Sequence, residues 1–233
     1  MSSRIFASFF LLAHFAALTG CTGNQYATPR TIPRGTVSHT VALEGSLDFR
    51  FNGEPGDLHP RYQLRIGAAD RVDVGIMVGP FLGADVKLNF LRTKDVDMAF
   101  TPGVYYGVFP SMSYGFDEVT QIVRFAAPLS LGFNTSKTVS LFVHANAAVL
   151  ADVSEEDYDY GCYPPYCEKD VWSVMPEVGL GVQVRVTPNI ALTPELTVYG
   201  SSKYTTMPGI HGGLAITFGA QPNYDEFDEK KND

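Results

Sequence analysis

The fold is decided by the stretch VSLFVHANAAVLAD, residues 139–152. Every odd-numbered position in this stretch is apolar, and the even-numbered positions include Ser140, His144 and Asn146. An alternation with period two is the pattern of a β-strand that has one apolar face and one polar face. The stretch therefore predicts a long strand with two chemically different sides.

The same alternation recurs along most of the chain, and helical periodicity appears nowhere after the N-terminal region. We predict an all-β fold: a closed antiparallel up-and-down β-barrel of about 10 strands. The predicted strands are residues 36–49, 61–69, 72–78, 82–91, 96–109, 120–133, 139–152, 171–186, 190–199 and 210–218.

Alternation alone does not say which face points into the barrel. A soluble lipocalin-like barrel has its apolar face inside, whereas a transmembrane barrel has it outside. The polar face here consists mainly of Gly, Ser, Thr and Ala, and only 18% of all residues are charged, against about 25% in soluble domains. A face with so few charges is poorly suited to water, so the sequence favours a transmembrane barrel.

The lengths of the connections favour the same orientation, because outer-membrane barrels have short turns on one rim and longer loops on the other. Short turns are predicted at residues 70–71, 92–95, 134–137 and 187–189, and one further short connection at 79–81. Longer loops are predicted at residues 50–60, 110–119, 154–170 and 200–209.

Aromatic residues at the strand ends predict two interfacial girdles, as membrane proteins commonly have. The long-loop rim carries Phe49, Phe51, Tyr62, Phe81, Phe109, Trp172 and Tyr199. The short-turn rim carries Phe90, Phe133 and Phe218.

The polar face carries both signs of charge, and a barrel of ten strands is only slightly wider than one filled by its side chains. We expect these charges to pair inside the lumen, because unpaired buried charge is costly. The alternative is a narrow pore lined by the same groups. The predicted lumen network consists of Glu44, Arg65, Asp85, Lys87, Arg124, His144, Glu177, Arg185, Glu195 and His211.

A hydrolase would need a nucleophile and a base on the same face, for which His144, Glu177 or His211 could combine with Ser130 or Ser173. Lipid A deacylases keep a His and a Ser two residues apart on one strand. Here the residues at that spacing are asparagine and glycine. We therefore predict no catalysis and treat these histidines as members of the lumen network.

The N-terminus reads as an export signal, with Arg4 before an apolar run over residues 5–17 and then Leu18-Thr19-Gly20-Cys21. This last motif resembles the lipobox of bacterial lipoproteins. The resemblance implies cleavage before Cys21, diacylation of its sulfur, and, because Thr22 follows instead of Asp, delivery to the outer membrane. An ordinary signal peptide that ends near a cysteine is the alternative.

Taken together, the chain resembles small lipoprotein β-barrels of Gram-negative outer membranes. The expected organisation is a signal peptide (1–20), a periplasmic linker (21–35), the barrel (36–219) and an acidic C-terminal tail (220–233). An even number of strands leaves both termini in the periplasm. The expected role is structural or in surface interaction; a narrow pore for small polar solutes and an outer-membrane lipid hydrolase are the alternatives.

The longest loop, residues 154–170, contains Cys162 and Cys167 separated by Tyr-Pro-Pro-Tyr. The two prolines favour a tight turn closed by a disulfide, and the tyrosines suit contact with an extracellular partner. Two thiols without a nearby His do not make a zinc site, and we predict no metal and no cofactor. A net charge of −8 argues against nucleic acid as a partner. The lipobox resemblance and the predicted transmembrane barrel imply outer-membrane lipid as a partner.

Replacing Cys21 by alanine should abolish lipidation and the associated signal cleavage. Metabolic labelling with a palmitate analogue measures this directly. The Cys162→Ala/Cys167→Ala double variant is the control and should keep its label. Label that persists in Cys21→Ala would contradict the lipobox assignment.

Overall fold

The computed structural model describes residues 24–48, 58–110, 119–153, 172–201, 204–224 and 227. The three cysteines, Cys21, Cys162 and Cys167, lie outside these residues, so lipidation and the disulfide remain predictions. Within the described ranges, no helix is long and apolar enough to cross a membrane.

Twelve strands make up the fold in the described part of the chain, and every paired neighbour is antiparallel. The strands are β1 (Val37–Asp48), β2 (His59–Ala69), β3 (Val72–Val78), β4 (Phe81–Arg92), β5 (Val96–Phe100), β6 (Gly103–Pro110), β7 (Val119–Ala126), β8 (Leu129–Asn134), β9 (Val139–Asp152), β10 (Trp172–Thr187), β11 (Ile190–Ser201) and β12 (Tyr204–Gly219).

These twelve strands occupy ten positions around the barrel, because two positions are each divided by a proline. Pro102 separates β5 from β6, and Pro128 separates β7 from β8. A proline has no backbone N–H and interrupts the ladder of hydrogen bonds. The two breaks face each other across the sheet, where the Thr101 backbone N donates to the Pro128 carbonyl at 3.0 Å.

The sheet is closed. From β1 each strand pairs with the next around the ring, and β12 returns to pair with β1 over the register from Ser38–Gly219 to Asp48–Gly209. Closure leaves no free edge, and every strand satisfies its backbone groups within the sheet, which lipid requires. The prediction of a closed antiparallel ten-strand barrel is confirmed.

The two faces of the barrel have the orientation expected for a membrane protein and opposite to that of a lipocalin-like barrel. On β9, Val143 points outward with 42% of its surface exposed, while the adjacent His144 points inward and is only 2% exposed. The same holds on β10 for Leu180, which is exposed, and Glu177, which is buried. An apolar exterior around a polar interior is the surface pattern that a bilayer solvates.

One predicted loop is wrong. Residues 200–209 are predicted above as one of the longer loops. Instead β11 continues to Ser201 and β12 begins at Tyr204, and these two residues pair with each other.

The aromatic girdles hold in part. Tyr62 and Trp172 are exposed at the long-loop rim, and Phe90, Phe133 and Phe218 are exposed at the short-turn rim.

Two predicted girdle residues differ: Phe81 is 3% exposed and points into the barrel, and Tyr199 is partly buried against the same inner cluster. Phe49, Phe51 and the side chain of Phe109 lie outside the described part of the chain. Phe81 packs inside an apolar cluster in the upper, long-loop half of the lumen, an inner surface that was expected to be polar. The members of this upper apolar cluster are Met77, Phe81, Tyr105, Ala126, Ala148 and Met175.

Arginine at Val143 should destabilise the barrel by about 2–4 kcal/mol, because this position faces lipid near mid-membrane. Val186→Arg is the matched control: it lies on the same apolar exterior but at the short-turn end of β10, where the cost should be about 0–1 kcal/mol. Urea unfolding in lipid vesicles measures both values. Equal costs would contradict a lipid-facing exterior.

Candidate functional site

The lumen is occupied by the chain's own N-terminal segment, residues 24–32, which we call the N-terminal plug. The sequence predicted that residues 21–35 form a periplasmic linker, and the structure corrects this for the plug. Asn24, Tyr26, Thr28 and Arg30 are all buried, with at most 4% of their surface exposed. The plug lies inside the barrel because its polar groups complete contacts that the barrel wall leaves open.

In chain order the plug descends the lumen from Asn24 toward the short-turn mouth, where the chain leaves the lumen and turns into β1. At the mouth, a turn at Pro33 connects the plug to β1, where the Thr36 backbone N donates to the Pro33 carbonyl at 3.2 Å and the Gly35 N donates to the Gly67 carbonyl at 2.8 Å. Tyr26 lies well inside, beside Glu44, which is the eighth residue of β1. The plug and β1 therefore run in opposite directions.

The upper end of the plug is fixed by a network around Tyr26. The Tyr26 hydroxyl donates to Glu44 Oε2 at 3.1 Å and accepts from Asn24 Nδ2 at 2.7 Å. Arg61 forms an ion pair with Glu44 at 2.8 Å and donates to the Asn24 backbone carbonyl at 2.7 Å. Thr197 Oγ1 donates to Asn24 Oδ1 at 2.7 Å. Three strands thus hold two plug residues.

Glu195 holds the backbone at the same level. Its two carboxylate oxygens accept from the backbone N of Gln25 and of Tyr26, each at 2.7 Å, and His144 Nδ1 lies 3.5 Å away. Tyr26 has a φ of 48°, in the left-handed region that non-glycine residues rarely adopt. Such a conformation costs on the order of 1–3 kcal/mol and persists only where the surroundings enforce it, and here the carboxylate of Glu195 does so.

Backbone carbonyls in the middle of the plug have no strand neighbour and bond to lumen side chains instead. Lys87 Nζ donates to the Thr28 carbonyl at 2.8 Å and lies 3.6 Å from the Asp73 carboxylate. Asn89 Nδ2 donates to the Pro29 carbonyl at 3.2 Å. The wall of the barrel therefore satisfies the buried backbone of the plug, as buried polar groups require.

The lower end of the plug is held by Arg30. Its Nε forms an ion pair with Asp97 at 2.9 Å, and both side chains are fully buried. Its other nitrogens donate to the backbone carbonyls of Thr93 and Asn223, the latter at 2.8 Å. The guanidinium also lies 4.3 Å from the centre of the Tyr224 ring.

The C-terminal segment closes the short-turn mouth from the other side. The sequence predicted residues 220–233 as a solvated acidic tail, but Tyr224 is buried between two guanidinium groups, with that of Arg185 3.8 Å from its ring centre. Its hydroxyl lies 3.2 Å from Thr28 Oγ1. Cation–π contacts of this kind strengthen when they are desolvated. Tyr224 therefore fixes the plug from below.

Two glycines on the barrel wall make room for the plug. A Cβ on Gly213 would lie 2.0 Å from the Tyr26 hydroxyl oxygen, and a Cβ on Gly132 would lie 2.9 Å from Pro29 Cδ. No side chain fits at these distances without displacing its neighbour. The absence of a side chain at both glycines therefore leaves the space that Tyr26 and Pro29 occupy.

Among the remaining predicted network members, two ion pairs link neighbouring parts of the wall. Arg65 contacts Asp85 at 2.9 Å, and Arg124 Nη2 contacts both carboxylate oxygens of Glu177 at 2.8 and 2.7 Å. Asn146 adds a hydrogen bond to Glu177 at 2.8 Å. All ten residues of the predicted network are buried in the lumen.

The histidines do not form a catalytic arrangement in the described part of the barrel. A Cβ on Gly179 of β10 would lie 2.2 Å from the His144 ring, so the ring lies over β10 and is turned away from Ser130 on the opposite neighbour, β8. His211 is fully buried, and neither of its ring nitrogens has a hydrogen-bond partner among the described residues. Glu177 is occupied by Arg124.

A cavity of about 20 Å³ lies beside the plug, lined by β1, β2, β4, β10, β12 and the start of the C-terminal segment, and it has room for about one water molecule. In the described ranges, no group of three His, Cys, Asp or Glu residues is arranged to hold a metal ion.

Comparison with known proteins gives the following result. No family model matches the chain, and no curated protein matches its sequence. Among solved structures, Neisserial surface protein A is 12% identical with a TM-score of 0.39, covering 78% of this chain and 95% of its own. Ail of Yersinia pestis, in complex with a heparin analogue, is 12% identical with a TM-score of 0.41, covering 81% and 99%. The Escherichia coli outer membrane protease OmpT is 10% identical with a TM-score of 0.35, covering 80% and 92%. Similarities of this size assign no function to this chain.

Arg30→Met should lower the free energy of unfolding by about 3 kcal/mol, because it leaves the buried carboxylate of Asp97 without its cation. Arg34→Met is the control: it lies four residues further along the same segment but is exposed, and should change stability by less than about 0.5 kcal/mol. Equilibrium unfolding in detergent measures both. Similar losses of unfolding free energy for the two variants would argue against a plug that is held in the lumen by Arg30.

Proposed function

We propose that this chain is a lipid-anchored β-barrel of a Gram-negative outer membrane, sealed by its own N-terminal plug, with a structural or surface-interaction role and no catalysis. The observation that supports the seal is the burial of residues 24–32 inside the lumen. A lumen filled by a hydrogen-bonded segment offers neither a continuous water path nor an open binding site.

The membrane assignment is supported by the exterior of the barrel. Most of its described outward positions are apolar and many of them are large, for example Val143, Leu180 and Ile216, while the described charged side chains lie in the lumen and at the rims. Lipid anchoring is supported by the lipobox at Cys21 and by the resemblance it carries. The short-turn rim is assigned to the periplasm, because short periplasmic turns are typical of such barrels.

The surface role is assigned to the long-loop side, where residues 154–170 are proposed to contact an extracellular partner. This loop is acidic and rich in tyrosine, and a disulfide between Cys162 and Cys167 would restrict its conformations. Tyrosine on a constrained loop contributes large contact area at low entropic cost.

A narrow pore for small polar solutes is the alternative function, and one observation favours it. The plug carries no strand pairing to the wall, and the lumen behind it is polar. Withdrawal of the plug would therefore expose a polar path. The proposed and the alternative functions differ in whether the seated plug conducts.

In planar bilayers, the full chain should show no steady conductance, because the plug fills the lumen. Deletion of residues 24–32 should produce a steady open level. The full-length Tyr26→Ala/Arg30→Met variant loses side-chain contacts that hold the upper and the lower end of the plug, and it should show intermittent openings.

Steady conductance of the full chain, equal to that of the deletion, would contradict the seal and favour the pore. A silent deletion variant would mean that the wall side chains, and not the plug, close the lumen.

A further inference from the structure

The small cavity beside the plug lies where three parts of the chain meet. One side of it is formed by plug residues, among them Thr28 and Arg30. The barrel wall contributes Arg65 of β2 and Lys87 of β4, and the C-terminal segment contributes Gln221. A ligand in this cavity would therefore contact the plug, the wall and the segment that closes the short-turn mouth.

Every charged residue that lines the cavity in the described part of the chain is basic. These residues are Arg30, Arg65 and Lys87. Their carboxylate partners, none of which lines the cavity, are Asp97, Asp85 and Asp73. The cavity is thus bordered by the positive member of each ion pair. This arrangement favours an anion over a cation inside it.

The remaining polar lining of the wall and the C-terminal segment can also donate hydrogen bonds. It consists of side-chain hydroxyls and amides: Ser38, Thr40, Gln63, Gln183, Thr217 and Gln221. Hydroxyl and amide groups donate to an anion as well as to a neutral acceptor. The lining therefore combines positive charge with many uncharged donors.

Two of the lining side chains have unused hydrogen-bonding groups. Arg65 is 5% exposed and contacts Asp85 Oδ1 through Nη2 at 2.9 Å, while its Nε and Nη1 have no hydrogen-bond partner among the described residues. Gln221 is 9% exposed, and neither atom of its amide has a partner there. A buried polar group without a partner costs its full desolvation penalty. These groups therefore point to an acceptor that the described chain does not supply.

The size of the cavity limits what this acceptor can be. A volume of about 20 Å³ has room for one ligand of about the size of a water molecule, which excludes a tetrahedral oxyanion such as phosphate. A halide ion is close to water in size and only accepts hydrogen bonds, whereas a water molecule also needs acceptors for its own hydrogens. Hydrogen bonds to a charged acceptor are roughly twice as strong as those between neutral groups.

We propose that this cavity is a chloride-binding site, in which the anion holds the N-terminal plug, the barrel wall and the C-terminal segment together. Chloride then stabilises the closed lumen. The site requires the buried plug, and it depends neither on the lipid anchor nor on the cellular side of either rim.

The test measures chloride binding to the full chain in detergent from the linewidth of the chloride NMR signal. Gln221→Met and Gln63→Met each remove a lining amide. Gln121→Met is the matched control, because Gln121 lies near the long-loop end of β7, where its side chain accepts from the Tyr106 hydroxyl at 2.7 Å.

We expect the full chain to broaden the chloride signal, bromide to reverse the broadening, and sulfate at equal ionic strength to leave it unchanged. Each lining variant should weaken binding by about tenfold, because it loses a hydrogen bond to a charged group. The control should bind as the full chain does. Replacing gluconate by chloride at constant ionic strength should raise the Tm of the full chain, because the ligand binds the folded state.

Absence of broadening, with a Tm that does not depend on chloride, would assign the cavity to a water molecule and overturn the proposal. Broadening that is equal in the full chain and both lining variants would place chloride elsewhere, and equal weakening in the control would show that the cavity is not responsible. A lumen that stays closed in planar bilayers without any chloride binding would refute the anion site and leave the proposed seal intact.

Discussion

Charge buried inside a narrow closed barrel must be compensated, and this constraint decides how the lumen is filled. Glu44 and Arg61 neutralise each other, yet each also has a hydrogen-bonding group directed at the lumen centre. Asn24 and Tyr26 supply the partners, and Glu195 binds two backbone N–H groups that no strand could offer. The barrel and the plug are therefore halves of one polar network, and neither is electrostatically complete alone.

The two ends of the chain meet at the short-turn mouth for the same reason. Arg30 has its carboxylate partner in Asp97, but its planar face and that of Arg185 remain open, and Tyr224 stacks between them. The aromatic ring thus links a plug residue to a wall residue. Because the plug and the C-terminal segment precede and follow the terminal strands β1 and β12, which pair with each other, this contact also secures the seam that closes the barrel.

Much of the fold follows from the sequence, because a period of two with an apolar outer face dictates strands such as β9, and the barrel closes to satisfy their edges. The burial of Glu44, Lys87 and Glu195 follows in the same way. The plug does not, since residues 24–32 have the proline and the polar residues of a solvated linker, and their environment is created by distant strands. Gly213, in the middle of β12, is a sequence signal from which a buried contact could have been predicted. A glycine in a strand interior often marks a place where another group approaches the backbone closely.

The enclosed plug also constrains how the barrel assembles. Once β1 pairs with β12 over the full register, the wall has no gap through which Tyr26, whose backbone is held in a left-handed conformation, can pass sideways. The plug is joined to β1 by a tight turn at Pro33, so it is already local to the first strand when that strand forms. The simplest order is that β1 and the plug dock together and the later strands close around them. In that order Arg61 of β2 and Glu195 of β11 meet their hydrogen-bond partners on the plug as they are buried, and Asp97 of β5 meets the guanidinium of Arg30.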